Sequence, residues 1–358
     1  MAVQGGTLAD VHFGIGLSQL VSLQENIRLA RIAEEAGFSR VSCADNLFMR
    51  PVWPILTVVA EHTERVEVGP LVTHPYLTHP ALIAGHVAEL DEMSNGRAFL
   101  GIGRGAFYDQ VGLAPEKPIT AVREAIELIA QLLRGDRGGY RGQVFSLAEG
   151  AGLRWQPPRR EVPIVVGTWG PQLSELAGAM AHEADVGFLL NLEHIRIVKE
   201  HLDRGARRAG RDPESVAVSC GSLTAVAAEG PAARAFARHH LSLFLPVLAR
   251  IPAFPRVDPD ELQAVEAALK QGAPQEATRH VSDATVEAFC LAGTPEDVLR
   301  RVEQLAAAGV RHITSFRRSA PVGRTPSASS PRRSSPTFGP SNRPLPSGAR
   351  NSHRGEPP

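Results

Sequence analysis

Disulfides, membrane spans and net charge are all missing from this chain, and each gap narrows what it can be. The three cysteines, Cys43, Cys220 and Cys290, are far apart, odd in number and without CxxC spacing. That argues against a disulfide framework or a zinc site and fits a reducing cytoplasm. No apolar run approaches the roughly 20 residues of a membrane-spanning helix. The opening MAVQGGTLAD has no basic stretch followed by an apolar one, so export is not expected. Formal charge sums to zero over 358 residues, but unevenly. From Arg317 to Pro358 eight arginines face one acidic residue, Glu356, which leaves +7 there and −7 on residues 1–316. A body of that sign is no nucleic-acid binder. The segment 317–358 is rich in Ser, Pro and Arg and nearly devoid of aliphatic side chains. It cannot bury enough surface to offset its chain entropy, so the expectation is one folded domain over 1–316 and a disordered tail.

Familiar catalytic signatures are absent as well. Gly14-Ile15-Gly16 is no GxGxxG, and there is no Walker sequence, metal-ligand spacing or nucleophile elbow. What the chain does have is a rhythm. Strands are expected at 11–17, 40–44, 66–72, 97–103, 162–167, 185–190, 216–227 and 311–316, each but the last followed by a helical stretch. The excursion 138–156 has the composition of a small hairpin or lid, and 231–272 reads as a longer helical section. Eight such alternations fit a (β/α)8 TIM barrel with insertions better than a doubly wound sheet.

In a barrel, chemistry gathers at the C-terminal ends of the strands. Those ends read Asp45-Asn46, Leu71-Val72-Thr73-His74, Gly101-Ile102-Gly103-Arg104, Gly167-Thr168-Trp169-Gly170-Pro171-Gln172 and Leu190-Asn191. The set is rich in glycine and poor in acids, which suits a flat cofactor laid against backbone. Gly69-Pro70 is expected to break the third strand and form a bulge. Pro171, at the first position of a helix, leaves amides free for a phosphate. Each segment taken alone is equally compatible with a tight turn between strand and helix.

Taken together and in order, the segments Ser42–Asn46, Gly69–Tyr76, Asn95–Gly105, Gly170–Gly178 and Phe289–Val298 resemble the bacterial luciferase-like superfamily. The resemblance runs from about Val11 to Phe316. It is strongest to the deazaflavin branch, which uses coenzyme F420 and is typified by methylenetetrahydromethanopterin reductase. It implies an oxidoreductase transferring a hydride between cofactor and a small organic substrate. It also implies cofactor phosphate at Thr168–Gln172, the ring against Leu71, Val72 and Thr73, a cis peptide at Leu71-Val72, and commonly a homodimer. Gly101, Gly103, Arg104, Gly167 and Asn191 complete the expected cofactor rim, Arg104 either meeting the anionic tail or lying solvated.

Asp45 is expected to orient the ring or assist proton movement, and His74 and His79 are the candidate proton donors, a core or loop-packing role fitting His79 better. Asn46 stands where several deazaflavin relatives carry histidine; it cannot act as a general acid at neutral pH, which argues against alcohol-dehydrogenase-like chemistry. Cys43 reads as a small buried hydrophobe. Leu243, Phe244 and Leu245 are candidates for a dimer interface. Two other readings stand beside this one: an FMN-dependent monooxygenase on the same barrel, and a non-catalytic barrel that binds a ligand or partner.

Overall fold

The computed structural model describes residues 7–251 and 254–316. In chain order the elements are β1 (His12–Leu17), α1 (Leu23–Glu35), β2 (Arg40–Cys43), α2 (Val52–Glu61), β3 (Glu67–Pro70), α3 (Pro80–Met93), β4 (Leu100–Gly103) and α4 (Pro118–Leu133). A hairpin of β5 (Tyr140–Arg141) and β6 (Ser146–Leu147) precedes β7 (Ile164–Gly167), α5 (Pro171–Met180), β8 (Glu183–Asp185), α6 (Leu192–Arg208) and β9 (Ala217–Val226). Then come α7 (Gly230–Ser242), α8 (Leu245–Leu248), α9 (Pro259–Lys270), α10 (Pro274–His280), α11 (Asp283–Phe289), β10 (Cys290–Gly293), α12 (Pro295–Ala307) and β11 (Val310–Phe316).

Hydrogen-bonded neighbours run β3-β2-β1-β11-β9-β8-β7-β4, with parallel pairing at every step. Parallel bridges Val68–Ala98 and Thr73–Ile102 join β3 back to β4. The ring therefore closes into the expected TIM barrel, and the eight strand C-termini share one rim. Helix faces coat the outside: α4 buries Val122, Ala125, Ile129 and Leu132, spaced three or four residues apart. Each buried Val, Ile or Leu among them contributes about 1.5–3 kcal/mol. The start of α12 shows how sharply the sequence sets a boundary. Thr294 Oγ1 accepts the Asp297 N–H and Asp297 returns the bond to the Thr294 N–H, with Pro295 at the first turn. Among the described residues no helix is long and apolar enough to cross a membrane.

Four expectations need correction. The break in β3 falls later than Gly69-Pro70: the strand runs through Pro70 and departs at Leu71-Val72, whose peptide is cis. Gly69 and Gly101 permit this, since a Cβ would lie 2.2 Å from the Phe99 carbonyl oxygen and 2.1 Å from that of Pro70. The strand expected at 185–190 is instead Glu183–Asp185; Gly187, at φ +55°, turns the chain while Leu189 and Leu190 remain fully buried. A buried turn thus carried the apolar signature of a strand. The expected helical section breaks into α7, α8 and α9, and β10 adds an unforeseen parallel partner to β9. Leu245 lies wholly inside its own chain, which removes it from any dimer interface. The expected disorder of 317–358 lies outside the described residues.

Candidate active site

Asp45 leaves the end of β2, and its Oδ2 accepts the Thr73 hydroxyl at 2.7 Å. Thr73 is itself fixed to β4: its N–H donates to the Gly101 carbonyl and its own carbonyl accepts the Gly103 N–H, both at 2.9 Å. Asp45 and the bulge after β3 therefore move as one piece. Val72 faces across the rim, and its methyls lie where side chains on β4 and β7 would otherwise be. A Cβ on Gly103 or on Gly167 would come within 3.0 Å of Val72 Cγ2 or Cγ1. These glycines, expected to admit a ligand, seat the bulge that a ligand would meet.

His74, the next residue, is buried and stands edge-on to Tyr108, with ring centroids 5.4 Å apart. Its Nδ1 is buried without a hydrogen-bond partner, an arrangement that costs about 1–3 kcal/mol unless a ligand supplies one. Burial pushes the imidazole below its ordinary pKa, and the opposing pull of Asp45 does not overcome it. A neutral ring carries one donor and one acceptor nitrogen. Tyr108 closes this side: its hydroxyl donates to the Arg104 carbonyl at 2.8 Å, and burial raises the phenol well above its usual range. The Arg104 side chain is exposed on the rim. Asn46 donates through Nδ2 to Gln19 Oε1 at 3.0 Å, and Gln19 in turn donates to the Arg50 carbonyl.

Across the barrel, the turn after β7 is built by its own polar groups. Thr168 Oγ1 lies 3.3 Å from the Gly170 N–H and from Ser174 Oγ, which donates to the Gly170 carbonyl at 2.8 Å. No side chain caps α5, whose first residues are Pro171 and Gln172; the positive end of that helix therefore faces outward with amides to offer. Asn191 is otherwise engaged: its Oδ1 accepts the His194 N–H at 3.0 Å and caps α6. The expected end of strand at Leu190-Asn191 is thus a helix start.

Asp45, Asn46 and Leu71 through His74 come together at the ends of β2, β3 and β4, and Val72 bridges to Gly167 beside the Thr168–Gln172 turn. Asn191, with its Oδ1 spent on the α6 cap, stands apart from this group. Gln19 and Asp185 were missed. The strand-end rule finds Gln19 once it is applied to β1, whereas Asp185 was hidden by the misplaced strand. A separate cleft of about 450 Å³, lined by residues including Gln131, Arg134, Tyr140, Glu161 and His182, borders the chain entering β7 and β8 and contains none of the expected site residues.

The profile of the family described as luciferase-like monooxygenase matches residues 3–312. The 5,10-methylenetetrahydromethanopterin reductase of Archaeoglobus fulgidus is 31% identical over 326 residues, spanning 87% of this chain and 94% of that protein. The F420-dependent glucose-6-phosphate dehydrogenase of Microbacterium testaceum is 32% identical over 52% of this chain and 59% of its own. Among solved structures, the coenzyme F420-dependent tetrahydromethanopterin reductase of Methanopyrus kandleri superposes with a TM-score of 0.78 at 26% identity, covering 86% of this chain and 93% of the other. A match that runs from the strand before the first helix to the last strand of the barrel leaves one assignment: the chain belongs to the luciferase-like monooxygenase family.

Proposed function

We propose that this protein is a coenzyme F420-dependent oxidoreductase that moves a hydride between the deazaflavin and a small organic substrate. The observation that carries the reading is the buried, partnerless Nδ1 of His74 beside Asp45 and the bulge, in a chain similar over most of its length to a methylenetetrahydromethanopterin reductase. The residues present suit such a group. Leu71, Val72 and Thr73, packed onto Gly101, Gly103 and Gly167, form a wall on which a flat ring can rest. Thr168, Gly170, Pro171 and Gln172 open the uncapped helix end that an anionic tail requires, with the exposed Arg104 on the same rim.

When bound, the deazaflavin supplies the two-electron chemistry at its ring, and the protein supplies position and polarity. Asp45, fixed by the Thr73 hydroxyl, orients what lies above the bulge. His74, its pKa lowered by burial, is neutral at physiological pH and so can accept the proton released when hydride leaves the substrate, returning it as imidazolium in the reverse direction. Asn46 holds its amide toward Gln19 and orients without titrating. The three buried, unbridged cysteines fit action in the cytoplasm. The stacked Trp53 and His86 rings between α2 and α3, with exposed Leu82 beside them, offer a face for a homodimer.

Separate fluorescence titrations of the full chain with coenzyme F420 and with FMN test the reading. The expected result is saturable F420 binding, with FMN at least about tenfold weaker, and loss of reduced-coenzyme signal when a substrate is found. A preference for FMN would move the chain to oxygen-activating chemistry. Binding of neither, together with a partner interaction lost on removal of the residues after Phe316, would favour a non-catalytic binder.

A further inference from the structure

The turn proposed to hold the cofactor's anionic tail is tied to a buried carboxylate that no step above uses. Asp185 ends β8, level with Gly167 on β7 and Ser219 on β9. Its backbone carbonyl accepts the Thr168 N–H at 2.8 Å. Its carboxylate takes two donors: Ser219 Oγ at 3.1 Å on Oδ1 and the Gly187 N–H at 2.9 Å on Oδ2. Gly187 is the left-handed residue of the turn that follows, and a Cβ there would lie 3.5 Å from Trp169 Nε1. Trp169 is held on this turn by its indole N–H, which donates to the Val186 carbonyl at 2.8 Å, and His194 Nε2 donates to the Trp169 carbonyl at 3.1 Å. The carboxylate therefore sets Gly187, Gly187 lies against Trp169, and Trp169 is the second residue of the proposed anion-binding turn.

We propose that Asp185 is a proton-linked positioning residue for the cofactor's anionic tail, the neutral carboxyl being the binding-competent form and a proton being taken up when the anion docks. The inference rests on the reading that the Thr168–Gln172 turn binds that tail. The charges around Asp185 support it. Glu183, two residues back on the same face of β8, adds a like charge, and Arg40 from β2 is engaged by Glu183 at 2.7 Å. His312 from β11 lies 3.7 Å from Glu183 on its other oxygen. The Cys220 thiol of β9 is buried and raised, and Arg301 of α12 donates to the Leu190 carbonyl at 2.8 Å. Burial first and Glu183 second hold the Asp185 carboxyl up at about 7, against the hydrogen bonds from Gly187 and Ser219 and the charge of Arg40.

The neutral form is also stereochemically complete: Oδ2 still accepts the Gly187 N–H, and a proton on Oδ1 can be donated to Ser219 Oγ, which accepts as readily as it donates. The ionised form places a negative charge in a dry interior directly behind an anion site, where like charges repel most. Linkage then requires the converse: an anion on the turn raises the proton affinity of Asp185.

The test measures the dissociation constant of coenzyme F420 for wild type, Asp185→Asn and Asp185→Ala from pH 6 to 8.5. The asparagine variant supplies the same acceptor to Gly187 and donor to Ser219 at every pH. Wild type and Asp185→Asn are expected to bind alike at pH 6 and to separate by at least about threefold at pH 8.5, wild type being weaker. Asp185→Ala, which leaves Gly187 without its acceptor, is expected to bind more weakly than both throughout. Dividing one curve by the other cancels any titration of the cofactor itself. Parallel curves for wild type and Asp185→Asn, with binding intact, would overturn the inference and leave the function standing. If wild type binds neither F420 nor FMN at pH 6, the functional reading fails and this inference fails with it.

Discussion

Two polar clusters lie within the barrel, and they differ in whether their charges are closed on themselves. In the lower one Arg40 reaches Glu183 at 2.7 Å and Glu67 at 2.8 Å and lies 4.5 Å above the Phe99 ring, while His312 reaches both Glu183 and Ser39. Every ionic group there has a partner from another strand. In the upper one Asp45 has Thr73, but the neighbouring His74 keeps a buried nitrogen with none. A buried group that meets its partner within the chain holds the fold together, whereas one left waiting must find its partner elsewhere or cost stability permanently. Trp53 Nε1, Arg301 Nε and Thr314 Oγ1 are buried without a partner as well, so what distinguishes His74 is that it waits beside Asp45 at the strand ends.

The largest expected effect follows from opening the closed cluster. Arg40→Met removes the charge that stabilises fully buried Glu183, and should lower unfolding free energy by about 3–5 kcal/mol. Denaturant unfolding at pH 7 measures this; a loss under about 1 kcal/mol would show that water reaches the cluster and that the contrast is false. Burial alone would raise the Glu183 carboxyl, but Arg40 and then His312 hold it at about 2, below its ordinary 4.5. Its contribution is thus present above pH 4.5 and lost as pH falls toward 2.

Asp185 has the opposite sign although it lies on the same strand. Its carboxyl is raised from 3.8 to about 7, so its contribution is full below pH 3.8 and is lost as pH rises through 7. Asp185→Asn should therefore be the more stable protein at pH 8, by on the order of 2–4 kcal/mol, with the gap narrowing toward pH 5. Thermal melts of both proteins across that range check the direction. A constant gap would mean that Asp185 does not titrate there.

The open cluster should respond the other way round. His74→Phe keeps the edge-on packing against Tyr108 while deleting the partnerless nitrogen. Stability is expected to hold or rise by up to about 1 kcal/mol, while F420 affinity or turnover falls at least about tenfold. Unchanged binding together with lost stability would place His74 among the scaffold residues.

How much of this was visible beforehand depended on the range over which each feature is encoded. Asp45, His74 and the Thr168–Gln172 turn could be placed on the rim because a barrel puts strand ends there, and a strand end is a local signal. The Arg40–Glu183 pair could not, since its members are 143 residues apart and neither is unusual where it stands. Asp185 was concealed by the apolar run Val186–Leu190, which imitates a strand until the conformation of Gly187 is known. Gly101, Gly103 and Gly167 were expected to admit a ligand, but the bulge they accommodate lies on another strand, so their reason for being glycine is tertiary.

The smallest expected effect sharpens the contrast most, because it asks whether the upper cluster is partly closed already. Thr73 is fixed by two backbone bonds to β4 that do not involve its side chain, so Thr73→Val preserves shape and removes only the hydroxyl that donates to Asp45. If that bond merely satisfies Asp45, the variant loses about 1 kcal/mol of stability and its F420 affinity is unaltered. If the bond aims the carboxylate at bound substrate, stability changes as little but turnover falls about two- to fivefold at unchanged cofactor affinity, and Thr73→Ser, which keeps the hydroxyl, restores it. We expect the second pattern, because Asp45 is only half-buried and water could satisfy it without Thr73, whereas water would not fix its direction.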